Sequence, residues 1–333
     1  ATASAVTVSV VIAAVAIDRL PSTLATALSP LFRSMNAATP AGVNPPASPV
    51  VSGGPDSAIP WQALGSQGQA FVAGVTPTAE LTAFSGVPAT DPIRVFVGID
   101  SADSPTQRAA LAVQELERFG GFNRAVIAVG TSAGAGTVDP GEVTPLEYLL
   151  NGDVATVSTQ YSLLPSFLSF AVDRPTSVKE ATAVLDAVRQ RLDQIPVQRR
   201  PRLVVFGESL GAYGASGAFQ SLDDLLARTD GAMFQGPPNA TALWRRYTHE
   251  REPGTPEHLP VYDEGTHLRW ANQPADLSLP TAPFRSPRVV YLQNASDPVV
   301  WWSPSVLWSR PDWLAEPRGP GVLSWPWLPL VTF

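Results

Sequence analysis

Leu203-Val204-Val205-Phe206-Gly207-Glu208-Ser209-Leu210-Gly211 is the stretch that decides how the rest of the chain is read. Four apolar residues run straight into Gly-Glu-Ser-Leu-Gly, and the small residues Ala212, Gly214 and Ala215 follow. A G-x-S-x-G pattern between a strand and a helix is the setting of a nucleophile elbow, where a sharp turn exposes one serine hydroxyl. Its glycines let the strand and helix backbones come close together. Ser209 is therefore the candidate nucleophile. The competing reading is a structural serine that caps the following helix.

Working outward from the elbow, strands and helices alternate. Ile93–Ile99, Ala125–Val129, Leu203–Phe206, Gly231–Phe234 and Arg288–Leu292 read as strands, and His267 sits in a turn that enters a further short one. Helical patterns are expected near Thr106–Phe119, over Val178–Ile195 and from the elbow to about Leu226. In the second of these, Val178, Ala181, Val184, Leu185, Val188 and Leu192 form one apolar stripe, and Pro196 ends it. Strongly apolar strands alternating with helices predict an α/β fold with a mainly parallel sheet and helices on both faces. Residues 40–60, rich in Pro, Gly, Ser and Ala, read as a linker or an irregular wrapping segment. The boundary is placed there, with 1–60 as an N-terminal apolar segment plus linker and 61–333 as the main domain.

Composition narrows the function classes. The 333 residues carry 22 Lys+Arg against 29 Asp+Glu, a net charge of −7, which argues against a nucleic-acid partner. With no cysteine, thiolate catalysis, disulfides and Cys-ligated zinc are excluded. The three histidines, His249, His258 and His267, match no zinc-binding spacing, and neither a dinucleotide fingerprint nor a Walker lysine motif is present. No metal and no cofactor are expected. Ala5–Ile17 is nearly continuously apolar but shorter than the roughly 20 residues of a membrane span. It reads as a buried helix, a signal remnant or the end of a transmembrane helix.

A serine that attacks a carbonyl needs a base, an acid that orients the base, and N–H donors for the developing oxyanion. The first donor is expected at the Leu210 backbone, in the opening turn of the helix. The second is expected in the loop after Ala125–Val129, at Ser132 and Ala133, although that glycine-rich stretch also suits a plain connection. Asp297, in a turn just past Arg288–Leu292, is the candidate acid, because a residue after a parallel strand shares the nucleophile's edge. A simple turn residue is its alternative, and Asp312 is a weaker candidate with no strand before it. The base would follow Asp297, yet 298–333 contain no histidine. His267 is a fallback. The preferred expectation is a histidine from sequence beyond Phe333.

These pieces, taken in order, resemble an actinobacterial alpha/beta-hydrolase family of membrane proteins. The likeness runs from Trp61 to Phe333 through Leu64-Gly65-Ser66-Gln67-Gly68, Pro92–Gly98, Glu115–Phe122, Gly152–Val157, Gln160-Tyr161-Ser162, the elbow, Gln235-Gly236-Pro237-Pro238, Tyr291–Val299 and Trp327–Phe333. The resemblance implies the alpha/beta-hydrolase fold, Ser209 as nucleophile, Asp297 as triad acid and a further C-terminal Gly/His-rich turn that supplies the base. It also implies that Ala5–Ile17 is the tail of a last transmembrane helix. The domain would then lie at the cell membrane, outside the cytoplasm. Two departures stand out: Glu208 replaces the family's usual apolar residue, and Gly130–Gly136 is smaller than the usual Pro/Thr/Gly/Trp loop.

The expected function is a serine esterase or lipase-like hydrolase that acts on a small-molecule or lipid ester through an acyl-enzyme. An acyltransferase using the same intermediate and a catalytically dead binding module are the alternatives. Tyr161–Phe170 would wall an acyl pocket, form a cap or be an ordinary buried helix. Trp301, Trp302, Trp308 and Trp313 would line the entrance or pack in the core.

Overall fold

The computed structural model describes residues 25–303, 305 and 309–322. Ala5–Ile17, Trp308 and Trp327–Phe333 lie outside the described residues. Among the described residues, no helix is long and apolar enough to cross a membrane.

Seven strands form one sheet in the order β1-β3-β2-β4-β5-β7-β6. They are β1 (Ile93–Val97), β2 (Val126–Thr131), β3 (Val154–Thr159), β4 (Arg202–Glu208), β5 (Gly231–Gln235), β6 (Leu268–Ala271) and β7 (Arg288–Leu292). Every pairing is parallel, so all seven carboxyl ends share one edge. Strands β1, β2 and β3 are buried along their whole length, as expected where helices cover both faces.

The helices, in chain order, are α1 (residues 25–37), α2 (Gly65–Ala73), α3 (Thr78–Ser85), α4 (Pro105–Arg118), α5 (Pro140–Leu149), α6 (Ser166–Val172), α7 (Arg174–Leu192), α8 (Leu210–Gly217), α9 (Leu222–Arg228), α10 (Ala242–His249), α11 (Pro298–Trp301) and α12 (Asp312–Ala315). Alternation along the strands sends neighbouring side chains to opposite layers. Arg94 of β1 pairs with Glu147 of α5, and Phe96, on the same face, packs against Gly68 of α2. Ala155 of β3, paired with Ile93, and Leu116 of α4 both pack against Gly121. The layer of α4 is tied to α7 by the buried pair Arg108–Glu180, at 2.6 Å.

Two elements depart from the sequence reading. β3 was not expected as a strand, because Thr156, Ser158 and Thr159 interrupt its apolar run; the fold buries all three next to β1 and β2. The helix expected from the elbow to Leu226 is two helices. The break comes at Ser221, whose hydroxyl accepts the Asp224 N–H and starts α9.

The Pro/Gly-rich stretch before Trp61 wraps the domain over its last residues. Val51 bridges to Arg94, and Ser57 Oγ and the Ala58 N–H donate to the buried Glu115 carboxylate at 2.7 and 2.9 Å. Ile59 is part of the core.

Candidate active site

Ser209 sits between β4 and α8 with φ 53° and ψ −117°. A non-glycine residue in that region is strained by on the order of 1–3 kcal/mol and persists only where its surroundings fix it. Here the Ser209 N–H donates to the Gln235 carbonyl at the end of β5 (2.8 Å), and the Ser209 carbonyl accepts from Tyr213 (3.0 Å). The Ser209 hydroxyl makes no capping bond to α8, so the capping alternative is not realised. Close approach at this turn depends on Gly211. A Cβ there would lie 2.2 Å from the Thr131 carbonyl, so α8 rests directly on the loop that leaves β2.

That loop is arranged differently from the expectation. The Ala133 N–H donates to Thr137 within the loop (2.8 Å), so Ala133 is not a free donor, and this part of the oxyanion assignment is corrected. Ser132 is buried and its hydroxyl is held by the Thr159 carbonyl (2.7 Å). The Gly134 N–H donates to Tyr161 Oη, and burial pushes that phenol up to about 12. Leu210, first in α8, keeps a backbone N–H with no intrahelical acceptor, as do its two successors.

Asp297 follows β7 and caps α11, with Oδ1 accepting the Val299 N–H at 2.8 Å. Its Oδ2 faces Gly236, 3.5 Å from where a Cβ would stand. Gly236 directly follows Gln235, the residue that holds the Ser209 backbone. Ser209, after β4, and Asp297, after β7, thus flank the end of β5 on the carboxyl edge.

Two cavities open on this edge. One, of about 550 Å³, is lined by Ser209 and Leu210 together with Phe167 and Phe170 of α6, Pro298, Val299 and Trp302. The other, of about 570 Å³, is lined by polar groups including Glu208, Gln235, Asn272, Gln293 and Asp297. The expected roles of the aromatic segments divide accordingly. Phe167, Phe170 and Trp302 wall the cavity at Ser209, whereas Trp301 and Trp313 are core residues that pack ring to ring.

Carboxylates crowd the polar side. The Gln235 amide donates to Glu208 Oε1 (3.3 Å) and Asp139 Oδ2 (3.5 Å). Burial is the main cause that raises the Glu208 carboxyl; the charge of Asp139 and, more weakly, that of Asp297 add to it, while the Gln235 bond works against them. Glu142 is pushed up to about 8, chiefly by burial and then by Glu208 and Asp139, and its Oε1 is buried without a partner. Sequence reading missed this cluster because Asp139 and Glu142 are distant in the chain. The only local signal was Asp139-Pro140, a helix-start pattern in which the Asp139 side chain accepts the Gly141 N–H.

None of the three histidines lines either cavity. His267 immediately precedes β6, on the amino edge, and its Nδ1 meets the Arg285 and Pro287 carbonyls. That placement removes it as a fallback base for Ser209. The His258 ring packs at Gly319, and burial lowers its pKa; His249 lines a separate cavity with Trp244 and Trp313. Among the described residues, no group of three or more His, Cys, Asp or Glu side chains is arranged to hold a metal ion.

Two solved structures of acetylxylan esterase, one an iodinated complex, are 15% and 16% identical to this chain; each alignment covers 53% of this chain and 85% of the other, with a TM-score of 0.33. No curated protein matches. Residues 1–75 match the N-terminal model of an alpha/beta-hydrolase family. Residues 93–333 match the main model of the same family, and with the parallel sheet and the strand-to-helix turn at Ser209 in view, the chain belongs to the alpha/beta-hydrolase family.

Proposed function

We propose that the protein is a serine hydrolase that cleaves an ester through an acyl-enzyme on Ser209. The observation that carries this reading is the strained backbone at Ser209, on the wall of a cavity with apolar side chains. In the reaction, Oγ attacks the ester carbonyl while its proton passes to an imidazole. The alkoxide leaves with that proton, and water then releases the acid by the reverse sequence. The Leu210 N–H, in the first turn of α8, would stabilise the oxyanion, with the Ser132 N–H as the proposed second donor. Asp297 would orient the imidazole through Oδ2, since Oδ1 is committed to Val299.

The imidazole in this reading is none of His249, His258 and His267. The support is that His249, His258 and His267 all lie off the two cavities that hold Ser209 and Asp297. A membrane location for the domain rests on the apolar run Ala5–Ile17 and remains part of the same proposal.

A fluorophosphonate probe tests the reading on the full natural chain. Labelling at Ser209 is expected, with Ser209→Ala unlabelled and at least about 10³-fold less active on an aryl ester, the scale of losing a triad member. Labelling that survives Ser209→Ala, or no labelling of the natural chain, would refute it.

A further inference from the structure

The cavity at Ser209 is lined by two arginines that no carboxylate pairs among the described residues. Arg174 opens α7 and Arg245 lies on α10, and both line this cavity. Among the described residues, neither forms an ion pair; Arg174 lies over the Phe170 ring at 5.4 Å. Neighbouring arginines behave otherwise. Arg246 is paired with Glu250 at 3.1 Å, and Arg251 with Glu316 at 2.7 Å. The chain has an excess of acids, 29 against 22 bases, so carboxylates are not in short supply. Two of them, Glu208 and Asp297, line the other cavity together with Gln235.

Ser209 therefore stands between the carboxylates Glu208 and Asp297 on one side and two arginines without a carboxylate partner on the other. An anionic substrate group would be repelled from the first and drawn to the second. A guanidinium fork matches the oxygens of a phosphate or carboxylate.

We propose that the site takes an amphiphilic ester whose alcohol part bears an anionic group. Arg174 and Arg245 hold the anion, and the acyl chain lies against Phe167, Phe170 and Trp302. The ester part of this statement rests on the hydrolase reading above; the anion and the chain do not.

Calorimetric titration of the full natural chain carrying Ser209→Ala tests it without any catalysis. The probes are octyl phosphate, octyl glucoside and inorganic phosphate. Octyl phosphate is expected to bind at least about tenfold more tightly than octyl glucoside, the gain of a charge-assisted contact. Adding Arg174→Gln and Arg245→Gln should abolish that preference and leave octyl glucoside affinity as it was. Both arginines are exposed, so the fold should tolerate the changes, and an unfolding midpoint checks this. Equal affinity for the two amphiphiles overturns the proposal, as does a preference that survives the double substitution. Inorganic phosphate binding as tightly as octyl phosphate also overturns it, because the apolar wall would then contribute nothing. If the preference holds while Ser209 of the natural chain fails to take a fluorophosphonate, the hydrolase reading falls and the anion site stands.

Discussion

Glu142 shows what a single side chain in this site costs the fold. It is 3% exposed, it faces two other carboxylates, and one of its oxygens has no partner. A carboxyl whose folded pKa is raised to about 8 holds its proton where the unfolded chain, near its ordinary 4.5, has lost it. Between those values the native state binds more protons, so stability falls as pH rises. The contribution is fully present below about 4.5 and lost once pH passes about 8. Glu142→Gln keeps the shape and removes the ionisation. It should flatten the stability profile across that window and raise stability at alkaline pH by on the order of 2 kcal/mol. Urea midpoints at several pH values measure this; a slope unchanged by the substitution would show that Glu142 is ionised without penalty. None of this was legible in the sequence, where Glu142 is an unremarked residue in the first turn of a helix.

The strand-to-helix unit β4–α8 is where sequence and structure agree most closely, and the reason is local. Gly207 and Gly211 are needed by the turn itself. A Cβ on Gly207 would lie 2.6 Å from the Gly211 carbonyl carbon, and one on Gly211 would lie 2.2 Å from the Thr131 carbonyl. Gly211→Ala must push α8 away from the loop after β2. A loss of about 1–3 kcal/mol is expected, the range for overpacking a tight contact. Fluorophosphonate labelling of Ser209 should fall with it, since the Leu210 N–H moves too. Thermal unfolding and a labelling rate read the two effects separately, and an unaltered midpoint would contradict the close approach. β3 is the opposite case. Its Thr and Ser residues weaken the apolar signal, and only pairing on both sides makes Val154–Thr159 a central strand.

Across the whole molecule, buried ion pairs join layers that apolar packing alone would leave free to slide. Arg94 of β1 donates to Glu147 of α5 through Nε (2.7 Å) and Nη2 (2.9 Å), and to the Phe71 carbonyl of α2 through Nη1 (2.7 Å). Both charged side chains are almost wholly buried, at 2% and 0% exposure. Glu147→Gln would leave a buried guanidinium short of its counter-charge, and about 3–5 kcal/mol of stability should go with it. Replacing both partners by apolar residues, Arg94→Met with Glu147→Leu, should recover most of that loss. Chemical denaturation of the three proteins gives the comparison; a single variant as stable as the parent would mean that water reaches the pair.

The sequence by itself determined the α/β class, the elbow at Ser209 and the placement of Asp297 after a late strand. Each of these is written in a short stretch: an apolar run, a turn that only glycine permits, a proline that starts a helix. The tertiary structure alone decided the rest. It set the strand order, put His267 on the amino edge, committed the Ala133 N–H to Thr137, and brought Asp139 and Glu208 together at Gln235 with the charge of both acting on Glu142. It also left Arg174 and Arg245 on the cavity beside Ser209. These are contacts between residues far apart in the chain, and no local pattern encodes them. They follow from which strand ends the parallel sheet brings together, and burial then fixes the charge and hydrogen bonding of every group caught there.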